Sequence, residues 1–154
     1  MDFLRNGDRK DIEDDLLRLI AMSYVAARRT VNRKLDQAGI PLSASQASVV
    51  LLLAKSGILL GSEIARQLGF DQGMMSRIVD DLVCRGFISR EHDPRDRRIR
   101  KLQLTNAGLE LVSRLSAPLT GAHATLSRAL NQHDRRRLCE LLRRLVQENQ
   151  DASS

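Results

Sequence analysis

Tryptophan is absent from this sequence, and one tyrosine and three phenylalanines leave the aromatic share at 3%. A core must therefore be filled by Leu, Ile, Val, Ala and Met, and an apolar fraction of 42% is enough to fill one. The longest apolar run, Val49 to Ala54, falls far short of the roughly 20 residues that cross a bilayer. The opening "MDFLRNGDRK" lacks the apolar stretch of a signal peptide and soon turns acidic. Two cysteines, Cys84 and Cys139, are too few for a disulfide framework and share no metal-like spacing. His92, His123 and His133 are spread over separate elements, so neither a metal nor another cofactor is expected. No phosphate-cradling glycine loop, HExxH or nucleophile elbow is present, which speaks against an enzyme. These absences predict a soluble, cytoplasmic protein of a reducing compartment, with no membrane partner.

What is there in quantity is positive charge. Lys and Arg number 25 against 19 Asp and Glu, a net charge of +6 in a chain of 154 residues, the length of one domain. Such a balance draws polyanions, without separating nucleic acid from an anionic membrane surface. The charge is concentrated in "HDPRDRRIRKLQLTNAG", where four arginines and one lysine lie between Arg95 and Lys101.

Asp11 to Ala38 reads as a long helix, with Ile12, Leu16, Ile20, Tyr24, Ala27, Val31 and Leu35 on one stripe. Asp14 and Asp15 are expected in its first turn and Arg33 and Lys34 near its last, as the helix dipole favours. At about 1.5 Å per residue it runs to roughly 40 Å, and an apolar stripe of that length needs a partner beyond a small domain. A second helix opens at "SASQ", where Ser43 and Gln46 have capping-box spacing, and stops at Gly57. A short extended piece, Ile58 to Leu60, leads to a compact helix from Ser62 to Leu68, closed by Gly69. Asp71 opens the next helix, "FDQGMMSRIVDDLVCRG", and Gly86 stops it. Its inner face is Met75, Ile78, Val79 and Leu82; Gln72, Gly73, Met74, Ser76 and Arg77 lie at its N-terminal and outer side. "FISRE" and "RKLQL" read as strands of a hairpin with the basic stretch at its tip. Thr105 caps a long helix expected to reach about Leu130, bent at Pro118. Asn131 and Asp134 start a last helix seamed by Leu138, Leu141, Leu142, Leu145 and Val146.

A short helix, a tight turn, a second helix and a hairpin, in that order, make a helix-turn-helix with a wing. Its chemistry suits duplex DNA. Gln72, Ser76 and Arg77 supply donors and acceptors for base edges in a major groove, Met74 can pack on a thymine methyl, and Gly73 admits a close backbone approach. Ser62 and the amides opening its helix can hold a phosphate. Arg95, Arg97 and Arg98 at the hairpin tip suit the negative potential of a minor groove. Blander readings exist for each. A charged helix face is ordinarily just solvated, and Asp80 or Asp81, one turn away, can pair with Arg77.

"SEIARQLGFDQGMMSRIVDDLVCRGFI" and "DPRDRRIRKLQLTNAG" resemble the two DNA-reading helices, the wing and the following helix cap of MarR-type regulators. The resemblance covers nearly the whole chain. It implies a mainly α fold with a small β-wing: a winged helix-turn-helix lobe (43–105) on a helical dimerisation base (11–38 and 106–150). Asp96 and Arg98 match the family's wing pair, in which the arginine enters the minor groove and the aspartate braces the wing. Arg77 matches the recognition-helix arginine and Ser76 the small polar residue before it. Gly73 departs from a common serine or threonine, and Leu60 stands where threonine is frequent.

The resemblance further implies a homodimer that binds a palindromic operator in double-stranded DNA. Such proteins typically repress until a small phenolic or carboxylate effector binds between base and lobe, where Tyr24, Arg28 and His123 are the candidate lining residues. Tyr24 also has a plainer reading, as a buried tyrosine on the apolar stripe. Cys84 and Cys139 are expected to be packed and structural, which makes cysteine-based redox sensing the alternative rather than the first reading. A helical adaptor whose basic loop meets an acidic partner is the rival from a different class.

Overall fold

The computed structural model describes residues 3–92 and 100–151, with side chains described from 15 to 91 and from 100 to 148. In chain order the elements are α1 (Phe3–Gln37), α2 (Ala44–Ser56), β1 (Leu59–Leu60), α3 (Gly61–Leu68), α4 (Gln72–Cys84), β2 (Ile88–His92), β3 (Arg100–Leu104), α5 (Asn106–Leu126) and α6 (Gln132–Asp151). The fold is mainly α with one three-stranded antiparallel sheet, ordered β1-β3-β2.

Local chemistry sets most of the boundaries. Ser43 and Gln46 form the expected capping box, with the Gln46 N–H donating to Ser43 Oγ at 3.2 Å and the Ser43 N–H to Gln46 Oε1 at 2.7 Å. Asp71 Oδ1 accepts the Met74 N–H at 2.7 Å and so opens α4. Gly69 and Gly86 close α3 and α4 with φ of 67° and 74°, a left-handed conformation that a Cβ disfavours.

Three boundaries differ from the sequence expectation. Helix α1 begins at Phe3 rather than Asp11. Nothing in the preceding stretch stops a helix except Gly7, whose cost is only about 1 kcal/mol. Asp14 and Asp15 therefore lie inside the helix, beyond reach of its dipole's end, and Asp15 instead pairs with Arg18 at 2.6 Å. Helix α5 ends at Leu126 rather than near Leu130. There Arg135 of α6 donates to the carbonyls of Ser127 at 2.9 Å and Leu130 at 3.0 Å, satisfying backbone groups that a longer helix would have used itself. Pro118 sits buried inside α5 without ending it. The extended piece after α2 is not a lone connector, since Leu59 and Leu60 pair with Leu102 and Lys101 as a third strand.

The core is formed almost entirely by aliphatic side chains, as the scarcity of aromatics requires. Val49, Val50 and Leu53 of α2, Ile64 of α3, Leu82 of α4 and Ile88 of β2 are fully buried, and Leu35 of α1 and Leu115 of α5 join them. The C-terminal part of α1 and the body of α5 thus share one core with the winged lobe. The opposite ends of the long helices do not. Leu16, Leu17, Leu19 and Ile20 of α1 are exposed, and so are Leu138, Leu141, Leu142 and Val146 of α6, the last at 56%.

The wing is clamped to α5 at one close contact. The Thr105 hydroxyl donates to the Gly86 carbonyl at 2.6 Å and accepts from the Gly108 N–H at 3.1 Å, while the Thr105 N–H reaches the Phe87 carbonyl at 3.1 Å. A Cβ on Gly108 would lie 2.2 Å from the Phe87 carbonyl oxygen, a backbone atom with little room to yield. Gly108→Ala is expected to destabilise the fold by about 1–3 kcal/mol, the usual size of an overpacking penalty. Urea unfolding checks this, and an unchanged midpoint would show that the α5–wing contact is looser than described.

Candidate nucleic-acid interface

Helix α4 is amphipathic because its apolar residues recur at three and four. Met75, Ile78, Val79 and Leu82 are buried, which leaves Gln72, Gly73, Ser76, Arg77 and Asp80 on the exposed side. Met74 departs from the expectation that it stands on the outer, DNA-reading side. It is half-buried, packs against the core and lines a cleft on the α1 side of the helix, because its position is one step from the inner stripe. Gly73 is exposed and in ordinary helical backbone; a Cβ there would come 3.3 Å from Asp71 Oδ1, the atom that caps the helix.

The two acids that were possible partners for Arg77 are engaged elsewhere. Asp80 forms an ion pair with Arg90 of β2 and accepts a long hydrogen bond of 3.4 Å from Ser76 Oγ. The Arg90 guanidinium holds the Asp80 carboxyl below its ordinary range, with smaller help from Ser76 and Arg100. A lowered folded-state value means that this contribution is in place at neutral pH and lost only as the pH falls through that value. Asp81 accepts from Gln46 Nε2 at 2.7 Å and Arg85 Nη1 at 3.2 Å. Arg77 makes no ion pair among the described residues, so its guanidinium is available.

Ser62 and Gln72 come together. With Ser76, Arg90, Arg100 and Gly61 they border a groove of about 200 Å³ between the start of α3, the start of α4 and the base of the wing. Leu60 occupies the position before α3 and offers no side-chain oxygen, while Glu63 reaches back to accept the Leu60 N–H at 2.8 Å. Arg90 and Arg100 were not singled out from the sequence. Arg100 lies in the conspicuous basic run, and its place at the start of β3 opposite His92 gave a usable signal. Arg90 carries none, since only strand pairing brings it to Asp80. Arg95, Asp96, Arg97 and Arg98 lie outside the described residues.

On the other side of α4, two adjoining cavities open between α1, the start of α2 and the lobe. One, of about 370 Å³, has Arg28 and Asn32 on α1, Ser45 and Gln46 at the start of α2, and Met74 and Arg77 on α4. The other, of about 230 Å³, adds Tyr24, Ala27, Val31, Leu68 and Phe70. Tyr24 and Arg28 are thus brought together, and Tyr24 is 57% exposed rather than buried. His123 is not with them: it is exposed near the end of α5, lining neither cavity. Arg28 makes no ion pair among the described residues and shares the larger cavity with Arg77, a space suited to an anion.

Cys84 and Cys139 are both exposed, contrary to the expectation that they are packed. Each lies at a helix position whose neighbours, Val83 and Leu138, are closer to an apolar face than the cysteine itself. Among the described residues no cluster of His, Cys, Asp and Glu could hold a metal ion. No helix among them is long and apolar enough to cross a membrane.

Residues 42–99 match the MarR family model, a stretch that takes in α2, the helix-turn-helix and strand β2. The regulator PrsX of Escherichia coli is 30% identical over 101 residues, covering 66% of this chain and 61% of that protein. The transcriptional repressor MprA of Escherichia coli is 30% identical over 115 residues, covering 75% of this chain and 65% of that protein. The matched stretches thus span less than two thirds of both relatives. A cysteine-to-serine mutant of Escherichia coli MarR, solved in complex with operator DNA, superposes with a TM-score of 0.78 at 25% identity, over 85% of this chain and 93% of that one. From the element order, the wing pairing and these matches together, the chain belongs to the MarR family of winged helix-turn-helix transcriptional regulators.

Proposed function

We propose that this chain is a sequence-specific DNA-binding regulator: a homodimeric repressor of a palindromic operator that a small phenolic or carboxylate effector releases. The observation that carries the DNA reading is the guanidinium of Arg77, without an ion pair among the described residues, on the exposed face of α4 beside Gln72 and Ser76, with both nearby acids tied to other partners. A helix whose only role was a solvated surface would be expected to pair Arg77 with Asp80 or Asp81. The likeness to a relative solved with operator DNA and to one named a transcriptional repressor supports the same reading. So does the charge of +6, which a phosphate backbone would neutralise.

Exposed apolar surface supports the dimer. Leu138, Leu141, Leu142 and Val146 of α6 and Leu16, Leu17, Leu19 and Ile20 of α1 are too much exposed aliphatic surface for one chain to leave in water. A second copy covers both with the same residues, as twofold symmetry requires. Two copies would present two α4 helices about one DNA turn apart, roughly 34 Å, and so select an inverted repeat.

For the effector, the larger cavity offers Arg28 from the helical base and Arg77 from α4. A carboxylate held by both would draw Arg77 away from the DNA-reading face and favour the arrangement that does not bind DNA. That is a shift between two populations, bounded by the ligand's preference for one of them. Cysteine-based sensing is a second reading with one observation in its favour, the exposure of Cys84 at the end of α4. Loss of DNA binding on mild oxidation, absent in Cys84→Ser, would establish it.

Three outcomes are expected. Arg77→Ala should weaken binding to a duplex selected by the wild-type chain by about 1–3 kcal/mol and relax preference at particular base pairs; unaltered preference would remove α4 as the reading helix. Arg98→Ala, in the stretch matched to the wing, should weaken binding to all duplexes alike and make the salt slope shallower by about one. An adaptor without DNA function would show neither a steep salt slope nor a selected sequence. Leu142→Glu should leave the chain folded by circular dichroism but shift it from dimer to monomer in sedimentation, and a dimer that persists would place the interface elsewhere.

A further inference from the structure

Gln46 does two things with one side-chain amide. Its Oε1 accepts the Ser43 N–H at 2.7 Å, the return half of the capping box of α2. Its Nε2 donates to Asp81 Oδ2 at 2.7 Å, on α4 and 35 positions away. The amide cannot be turned over: reversed, it would set N–H against N–H at one end and oxygen against carboxylate at the other. The start of α2 is in turn held by α1, because Asn32 Oδ1 accepts the Ala44 N–H at 2.7 Å. A continuous path of short hydrogen bonds therefore runs from α1 through the start of α2 to the outer side of α4, and Arg85 grips the same Asp81 oxygen at 3.2 Å. Asn32, Ser43 and Gln46 also line the cavity that Arg28 and Arg77 face.

We propose that Gln46 is a positioning residue for the recognition helix: it fixes where α4 stands relative to the helical base, without touching DNA. The proposal rests on the DNA-reading role of α4 argued above and adds the device that sets its placement. Apolar packing alone leaves α4 some freedom to slide or roll, since burial has no preferred direction. The Asp80–Arg90 pair ties α4 to the wing, which moves with it in the same lobe. Among the side-chain hydrogen bonds and ion pairs of α4 within the described residues, the Gln46–Asp81 bond is the one that links it to an element pinned to α1. A shift of α4 relative to α1 along this path must therefore strain the Gln46–Asp81 bond or the Asn32–Ala44 bond.

The two roles of Gln46 can be separated. Gln46→Glu keeps an acceptor for the Ser43 N–H, and so keeps the capping box, but places a second carboxylate against Asp81. The Gln46→Glu/Asp81→Asn double variant returns an amide to the pair with donor and acceptor exchanged, and leaves an oxygen for Arg85. Binding is read by fluorescence anisotropy on a duplex that the wild-type chain selects from a random pool, and α4 placement by amide hydrogen exchange without DNA. Gln46→Glu is expected to bind that duplex about tenfold more weakly, as for the loss of one charge-assisted hydrogen bond. Exchange across residues 72–84 should rise, while exchange in α2 and the unfolding midpoint stay unchanged. The double variant should recover both affinity and protection. Wild-type affinity and exchange in Gln46→Glu would overturn the proposal, and so would a folded double variant that recovers neither. If exchange responds and recovers but affinity does not follow it, Gln46 positions α4 as proposed and the DNA-reading role of α4 is what fails.

Discussion

The placement of α4 depends on two neighbouring acids that look in different directions. Asp80 is held by Arg90 on the wing, and Asp81 by Gln46 at the start of α2 together with Arg85. Because both carboxylates are occupied, Arg77 has no ion pair among the described residues, on a face that also carries Gln72 and Ser76. Had either acid turned toward Arg77 instead, that cation would have been neutralised. Surface ion pairs contribute little to stability, so the value of these lies in geometry. They decide which groups remain for a ligand.

That arrangement places one residue between two surfaces. Arg77 stands at the rim of the exposed face and also lines the cavity toward α1, where Arg28 faces it. An anion in the cavity and a nucleic acid on the outer face would then compete for the same charge. Competition of this kind requires no long-range pathway, only a side chain with two alternative partners and a helix whose position each partner biases. The shared core, in which Leu35 of α1 and Leu115 of α5 are buried with the lobe's own aliphatics, is what keeps base and lobe close enough for this.

Much of this was legible in the sequence where the cause is local. Ser43 with Gln46, Asp71, Thr105, Gly69 and Gly86 act within a turn of their own positions, and each sets the boundary it was expected to set. Burial on α4 followed period alone, apart from Met74, whose position next to the stripe lets it lean to either side. What could not be read are partnerships across the fold. Gln46 and Asp81 are 35 positions apart and Asp80 and Arg90 are 10 apart, and either acid had a nearer cation by sequence. The pairing of Leu59 and Leu60 as a third strand depends on where α2 delivers them. Tyr24 with Arg28 proved to be neighbours by helical spacing, whereas His123 is exposed near the end of α5 and lines neither of the two cavities. Exposure of Cys84 and Cys139 was missed because neighbouring apolar residues suggested packing that one step of helical rotation removes.

In the proposed function, two copies of this chain set two α4 helices into successive major grooves. Hydroxyl-radical footprinting of the wild-type chain on a duplex it has selected tests this most directly. Two symmetric protected half-sites are expected, with centres about one helical turn apart, roughly 34 Å, each flanked by protection of the adjacent minor groove. A single protected half-site, or uniform protection with no twofold symmetry, would contradict it.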